Sequence, residues 1–167
     1  QPRVEPYRDQ DTTIVGQFLT TSFQLTHNTY PSLWHDVPLA PAGAEPNVIN
    51  FITEIPMFNA AKMEVSKEQP GNPIMQDVNK DGSPRFYSYG VPFFNYGLVP
   101  QTWEDPKNVS PEGYGGDNDP LDVMEVGTRP LAMGSITPCR VLGSLELIDD
   151  GETDHKIICI SLTDPLA

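Results

Sequence analysis

From residue 22 onward the chain alternates short apolar runs with clusters of turn-forming residues, the habit of a β-barrel or sandwich rather than of a helical bundle. Residues 47–54 (NVINFITE) and 61–65 (AKMEV) have strand composition, and the EIPMFNA link bends the chain between them, which predicts a hairpin-like pair. Further strands are predicted at 85–89, 121–126, 135–147 with a break at Pro138, and 156–162. Residues 1–21 mix charged and polar side chains without a period and read as an arm or linker, so 22–167 stands as one domain. No internal repeat is present. The expected class is mainly β, and 13 glycines with 18 prolines among 167 residues support it by implying many turns and no long helices.

Composition narrows the partners. A chain that is 38% hydrophobic and 20% charged can bury a core. No stretch approaches the roughly 20 consecutive apolar residues that a membrane-spanning helix needs, and the opening residues lack the basic-then-apolar order of a secretory signal. The expected location is the cytoplasm, with an acidic vacuole-like organelle as the alternative. Cys139 and Cys159 form no CxxC pair and have no histidine at zinc-finger spacing, so both read as reduced, buried thiols. A formal charge of −13 repels nucleic acids and anionic lipid, so neither is an expected partner. An acidic protein still accepts a polyanion when divalent cations lie between the two.

Two acidic clusters make that possibility concrete. In GDNDPLDV (116–123), Asp117, Asp119 and Asp122 fall at the lip of a predicted strand. Carboxylates this close repel one another in a low-dielectric site, so one protonates or a multivalent cation compensates them. The same composition also suits an acidic surface turn shaped by asparagine and proline. In DDGETDHK (149–156), Asp149 and Asp154 flank an Asp150-Gly151 hairpin turn, which alone reads equally as a solvated loop. If both loops end neighbouring strands at one mouth of a barrel, they offer the hard oxygen ligands that magnesium prefers. In the 61–65 strand, Lys62 and Glu64 share one face and Met63 and Val65 the other. Lys62, Arg85 and Lys156 lie in or beside strands, where each reads either as a site cation or as an ordinary surface cation with a buried stem.

In that order, EIPMFNAAKMEV, NYGLVPQTWEDP, GDNDPLDV and DDGETDHK resemble the soluble family I inorganic pyrophosphatases, particularly the eukaryotic type, and the likeness runs from about Phe23 to Ala167. The resemblance implies a small closed OB-like barrel, with flanking helices largely beyond residue 167. It implies hydrolysis of pyrophosphate to two orthophosphates by a hydroxide held between magnesium ions, for which manganese or zinc can substitute. By motif, Asp117, Asp122 and Asp154 hold the principal ion, Asp122 is shared with a second, and Asp149 and Asp154 take a further one. Glu54 and Glu64 complete the acidic lining, Asp119 is the general base, and Lys62, Arg85, Tyr96 and Lys156 grip phosphate oxygens. A homodimer or larger homo-oligomer is the implied assembly. Such a mechanism is chemically coherent, because coordination makes water far more acidic and cations stabilise the charge of the leaving phosphate.

Three departures accompany the likeness. The family pattern continues past DPLA (164–167) into a helical region with a phosphate-binding tyrosine–lysine pair, so a C-terminally trimmed chain is expected. The Arg85 to Tyr96 spacing is shorter than in animal and fungal members, leaving Tyr87 and Tyr89 both as candidates for a further tyrosine. Met57 stands where many members carry arginine. Asp77, Asn79, Asp81 and Gly82 imitate the opening of a calcium-binding loop, but Ser88 occupies the position of its final glutamate and Pro84 interrupts it, so a plain turn is expected. The competing functions are a two-metal phosphodiesterase or nuclease, which the net charge and lack of an aromatic-basic track oppose, and a non-catalytic divalent-cation module.

Overall fold

The computed structural model describes residues 12–15 and 24–167. Its strands are β1 (Thr12–Val15), β2 (Gln24–His27), β3 (Val48–Ile55), β4 (Met63–Val65), β5 (Ile74–Gln76), β6 (Asn95–Leu98), β7 (Asp122–Glu125), β8 (Ile136–Leu145), β9 (Ile148–Asp149), β10 (Glu152–Thr153) and β11 (Lys156–Ser161). No α-helix occurs among the described residues, so none is long and apolar enough to cross a membrane. β11, β7, β6, β3 and β8 close into a barrel of the expected OB-like kind. A second sheet runs in the order β1-β2-β5-β4, and β9 and β10 form a hairpin.

The period of two along β3 explains how one strand serves two cores. Phe51 joins Val123, Cys139 and Cys159, which come from the other barrel strands β7, β8 and β11. Ile52, one residue on and so on the opposite face, joins Leu25, Met63, Val65 and Ile74 of the second sheet. β3 is buried almost throughout on both faces, and its polar residues Asn50, Thr53 and Glu54 each find hydrogen-bond partners there. The two cysteines are free and buried, as expected.

Three sequence expectations need correction. The segments 47–54 and 61–65 do become strands, but not a pair: β3 lies in the barrel between β6 and β8, while β4 pairs with β5 in the second sheet. Residues 85–89 are not a strand. Phe86 makes only an isolated bridge to Ala61, because this stretch crosses the end of the second sheet without a continuous partner. Pro138 does not break β8, in which it lies opposite Asn50 of β3. The Asn50 N–H turns away to Leu39 O, at 2.9 Å, so this pair exchanges no ladder bond and the missing proline N–H is not needed there. On its other side, Pro138 O accepts Leu162 N–H at 2.9 Å, just past the end of β11.

Strands β2, β5 and β6 were not anticipated. β2 and β5 are four and three residues long, too short for an alternating pattern to register, and they are fixed when Leu25 and Ile74 join the core with Ile52 of β3. β6 carries a glycine, which weakens its strand signal, yet the glycine is what its position requires. Thr53 pairs with Gly97 and Ile55 with Tyr96, so Glu54 is the extra residue of a bulge. A Cβ on Gly97 would lie 1.9 Å from Ile52 O and 2.9 Å from Glu54 N. The bulge can therefore press onto β6 only where no side chain intervenes.

Gly97→Ala is expected to lower stability by about 3 kcal/mol or more through this backbone clash. Urea unfolding followed by tryptophan fluorescence measures it, and a wild-type midpoint would show that β3 and β6 separate without cost.

Candidate functional site

A cavity of about 690 Å³ lies on the outer face of the barrel beside β4, not at the barrel mouth expected from the sequence: Asp122 and Lys156 line it, whereas Val123 and Ile157, the next residues along each strand, pack in the barrel core. Every side chain that the resemblance assigns to metal, base or phosphate lines it: Glu54, Lys62, Glu64, Arg85, Tyr96, Asp117, Asp119, Asp122, Asp149, Asp154 and Lys156. They arrive there for separable structural reasons.

The parallel pairing of β7 with β11 sets the centre. Lys156 is in register with Asp122, each the first residue of its strand. The Lys156 ammonium donates to Asp122 Oδ2 and Asp154 Oδ1, each at 2.8 Å, and to Tyr96 Oη at 2.9 Å. Tyr96 in turn donates a short hydrogen bond to Asp122 Oδ2. Burial pushes the Asp122 carboxyl up to about 6, with Asp154 adding to the rise and Lys156 and Tyr96 opposing it. The Tyr96 hydroxyl is raised well above its usual range by burial and by the neighbouring Asp122 charge, so it stays a donor. Burial works against the Lys156 charge, but Asp122 and Asp154 more than offset it and raise its pKa.

The first acidic loop is shaped by its backbone. Asn118 has φ +69°, a left-handed conformation that asparagine tolerates, and its side-chain oxygen accepts Trp103 Nε1 at 3.0 Å. Asp119 N–H closes onto Asp117 Oδ1 at 2.9 Å. Glu104 is laced to the same loop: its N–H donates to Asp119 O at 2.8 Å and its carbonyl accepts Asn118 N–H at 3.0 Å. A Cβ on Gly116 would lie 2.3 Å from Glu104 O, so this approach also requires a bare glycine.

That lacing brings in a residue the sequence reading did not assign. Carboxylate oxygens of Glu104, Asp117 and Asp154 lie within 4.8 Å of one another. Glu104 Oε1 accepts His155 N–H at 3.2 Å and lies 2.7 Å from His155 Nδ1, whereas its Oε2 is buried with no hydrogen-bond partner. A buried carboxylate oxygen without a donor is costly, and a cation shared with the two neighbouring aspartates removes that cost. The donor set is entirely oxygen, the preference of magnesium and similar hard ions. Burial lifts the Asp117 carboxyl to about 6, and the charges of Asp119, Glu104 and Asp122 push the same way. Asp119 itself pairs with Lys67 at 2.7 Å.

The second acidic loop is the β9–β10 hairpin. Asp150 and Gly151 have φ +47° and +89°, the turn expected of an Asp-Gly pair. Thr153 N–H donates to Gly115 O at 2.8 Å and fastens this hairpin to the first loop. Asp149 and Asp154 thereby reach the same cavity as Asp117 and Asp122.

The opposite wall is cationic. Lys62 Nζ lies 2.8 Å from Glu64 and 3.1 Å from Asp77, and Arg85 Nη1 lies 2.8 Å from the same Asp77 oxygen. Asp77, read from sequence only as the start of a calcium-loop imitation, thus holds both cations. Burial works against its charge, but Lys62 and Arg85 prevail and hold its carboxyl below the usual range. The imitation itself is a turn in which Asp81 accepts Ser83 N–H at 2.9 Å. Glu54, aimed by the bulge, gives Oε1 to Val65 N–H at 2.6 Å, and burial followed by the Asp122 charge raises its carboxyl well above the normal range. Tyr87 and Tyr89 both line the cavity, with rings 5.0 Å apart, Tyr87 half-buried and Tyr89 exposed.

The additional residues had weak signals. Glu104 stands in the quoted WEDP segment, and the Gly115-Gly116 pair ahead of Asp117 marks a close backbone approach. Asp77 reads from the sequence only as part of a turn, and no local pattern distinguishes Lys67 from a surface charge.

Comparison with known proteins agrees with this geometry. The family model described as inorganic pyrophosphatase matches residues 51–167. An inorganic pyrophosphatase of Drosophila melanogaster is 47% identical over 138 residues, which are 80% of this chain and 40% of the relative. That of Debaryomyces hansenii is 49% identical over 141 residues, 81% of this chain and 48% of the relative. The chain therefore spans about half the length of the curated relatives it matches. Among solved structures, the type I inorganic pyrophosphatase of Toxoplasma gondii superposes with a TM-score of 0.84 at 41% identity, over 93% of this chain and 70% of that one. The N-terminally truncated vacuolar soluble pyrophosphatase of Trypanosoma cruzi, solved in complex with PPi, gives 0.81 at 39% identity, over 99% and 70%.

The two raised aspartates fix the sign of a pH effect. Between about pH 4 and pH 6, Asp117 and Asp122 bind more protons folded than unfolded, so their contribution to metal-free stability falls as pH rises through that window. Calorimetric melting in EDTA should show this fall in the wild type and a flatter profile in Asp117→Asn/Asp122→Asn. Manganese binding at pH 6 should release about one proton in total from the two half-protonated groups, read from binding heats in buffers of different ionisation enthalpy. An unchanged slope in the double variant would refute the assignment.

Proposed function

Since this chain belongs to the inorganic pyrophosphatase family, we propose that it hydrolyses pyrophosphate to two orthophosphates with the help of magnesium. The observation that carries the reading is the division of one cavity into an anionic wall, Asp117, Asp122 and Asp154, backed by Glu104 from outside the cavity, and a cationic wall, Lys62 and Arg85, with Lys156 between them. A small, highly charged anion needs both: cations for its oxygens, and carboxylates that hold divalent ions beside it.

In this reading Asp117, Asp122 and Asp154 hold the principal ion, Asp122 is shared with a second, and Asp149 and Asp154 serve a further one. Glu104 joins them through its free oxygen, and Glu54 and Glu64 complete the lining. Manganese and zinc substitute for magnesium. Ions bound there supply charge compensation and lower the pKa of coordinated water toward neutrality. The chain does the rest. Asp119, whose carboxylate is half-exposed at the cavity edge, takes the proton of the attacking water. Lys62 and Arg85, oriented by Asp77, bind the oxygens of one phosphate. The Tyr96 hydroxyl, which in this structure donates to Asp122, and the Lys156 ammonium, which donates to Asp122, Asp154 and Tyr96, turn to those of the other once divalent ions take their place at the carboxylates. Charge that builds on the leaving phosphate meets donors already in position, which is where catalysis of phosphoryl transfer gains most.

Residues 22–167 are the proposed catalytic domain, with 1–21 as an arm, working in the cytoplasm as a homodimer or larger homo-oligomer. Phosphate release from pyrophosphate with and without magnesium tests the reading. Asp119→Asn should lose about 100-fold or more in kcat while binding manganese normally, and Asp122→Asn should lose both activity and manganese affinity. Equal loss of manganese affinity in the two variants would contradict the roles given to these aspartates, and no magnesium-dependent phosphate release would overturn the function.

A further inference from the structure

His155 lies outside the cavity that Asp154 and Lys156 line, although it stands between them in sequence. Extended backbone explains the split: side chains at 154 and 156 face one way and that at 155 the other. The ring instead borders a separate cavity of about 440 Å³, together with Trp103, Glu104 and Asn108. From there it reaches Glu104, whose side chain is only 9% exposed.

The two oxygens of Glu104 have different fates. Oε1 is occupied twice by the same residue, by the His155 backbone N–H at 3.2 Å and by ring Nδ1 at 2.7 Å. An ionised carboxylate only accepts, so Nδ1 carries the proton and donates. Oε2 is buried and without a partner, and a carboxylate oxygen of Glu104 lies within 4.8 Å of carboxylate oxygens of Asp117 and Asp154. A glutamate side chain has substantial rotamer freedom, and holding one oxygen from behind fixes where the other points.

We propose that His155 is a positioning residue, which pins Glu104 Oε1 so that Oε2 is presented to a divalent cation shared with Asp117 and Asp154. One short segment thus supplies both a ligand, Asp154, and the holder of a second ligand, Glu104, from opposite faces of its backbone. The inference rests on the reading of these carboxylates as an ion site.

His155→Phe and His155→Asn separate hydrogen bonding from packing. Phenylalanine keeps a planar ring without a donor; the asparagine side-chain nitrogen takes nearly the place of Nδ1. Manganese binding to the full 167-residue chain, without pyrophosphate, is followed by the paramagnetic resonance of free manganese. His155→Phe is expected to weaken one class of site by about 10-fold or more, the usual scale for removing a partner that orients a metal ligand, with His155→Asn within about threefold of wild type. Wild-type manganese binding in His155→Phe, or an equal loss in both variants, would overturn the inference. Glu104→Gln separates the two levels. If it weakens manganese binding while His155→Phe does not, only the role of His155 falls; if it leaves binding intact, the ion site at Glu104 falls and the inference with it.

Discussion

Mutual repulsion among carboxylates crowded into one partly buried cavity is the constraint on which the rest of this structure depends. Desolvation and like charge act together on Asp117 and Asp122, and both are lifted to about 6 although Lys156 and Tyr96 bond directly to Asp122. A fold selected for stability alone would not gather such groups. The barrel tolerates them because each is fixed by a partner that leaves part of its valence free. Asp117 gives one oxygen to Asp119 N–H, Glu54 gives one to Val65 N–H, and Glu104 gives one to His155. Carboxylates held in this half-satisfied state are what a divalent cation can complete.

Backbone geometry, more than side-chain packing, enforces the crowding. The parallel register of β7 and β11 sets Asp122 against Lys156. The bulge in β3 turns Glu54 toward the same point, and bare Gly97 lets the neighbouring strand approach closely enough for the bulge to form. Gly116 does the same for the contact between its loop and Glu104. Two of these are steric permissions, at Gly97 and Gly116, and the third is a strand register. Together they hold charged groups at fixed separations without relying on exposed ion pairs, which contribute little on their own.

What the sequence revealed follows the range of the interactions concerned. The β class, the strands at β3, β7, β8 and β11, and the acidic loops were legible because alternation, turn pairs and clustered aspartates are local patterns. The pairing of β3 was not, since 47–54 and 61–65 are neighbours in sequence but the sheets they enter are chosen by the packing of Ile52 on Leu25 and Ile74. Pro138 looked like a break because its missing N–H matters only if a partner strand asks for it, and neither Asn50 nor the finished end of β11 does. Residues 85–89 carry strand-forming side chains but find only the bridge at Phe86. Glu104 is unmarked within its segment and Asp77 reads only as a turn residue for the same reason: an acid outside a cluster gains meaning only from what the fold places beside it.

Asp77 also explains why the cavity keeps two walls of opposite charge instead of collapsing into ion pairs. Lys62 and Arg85 share one of its oxygens, at 3.1 and 2.8 Å, and are thereby held on the side away from Asp117 and Asp154. Their own backbone groups reinforce the arrangement, since Asp77 N–H donates to Lys62 O and Arg85 N–H to Asp77 O. Were those cations free to fold onto the aspartates, they would neutralise the carboxylates from within and leave neither wall available. Two other lysines reach the acidic side, Lys67 at Asp119 and Lys156 between Asp122 and Asp154, and the Glu104, Asp117 and Asp154 carboxylates still form a group with oxygens within 4.8 Å of one another. A single partly buried aspartate behind the cationic wall therefore preserves the charge separation that an anion accompanied by divalent ions requires.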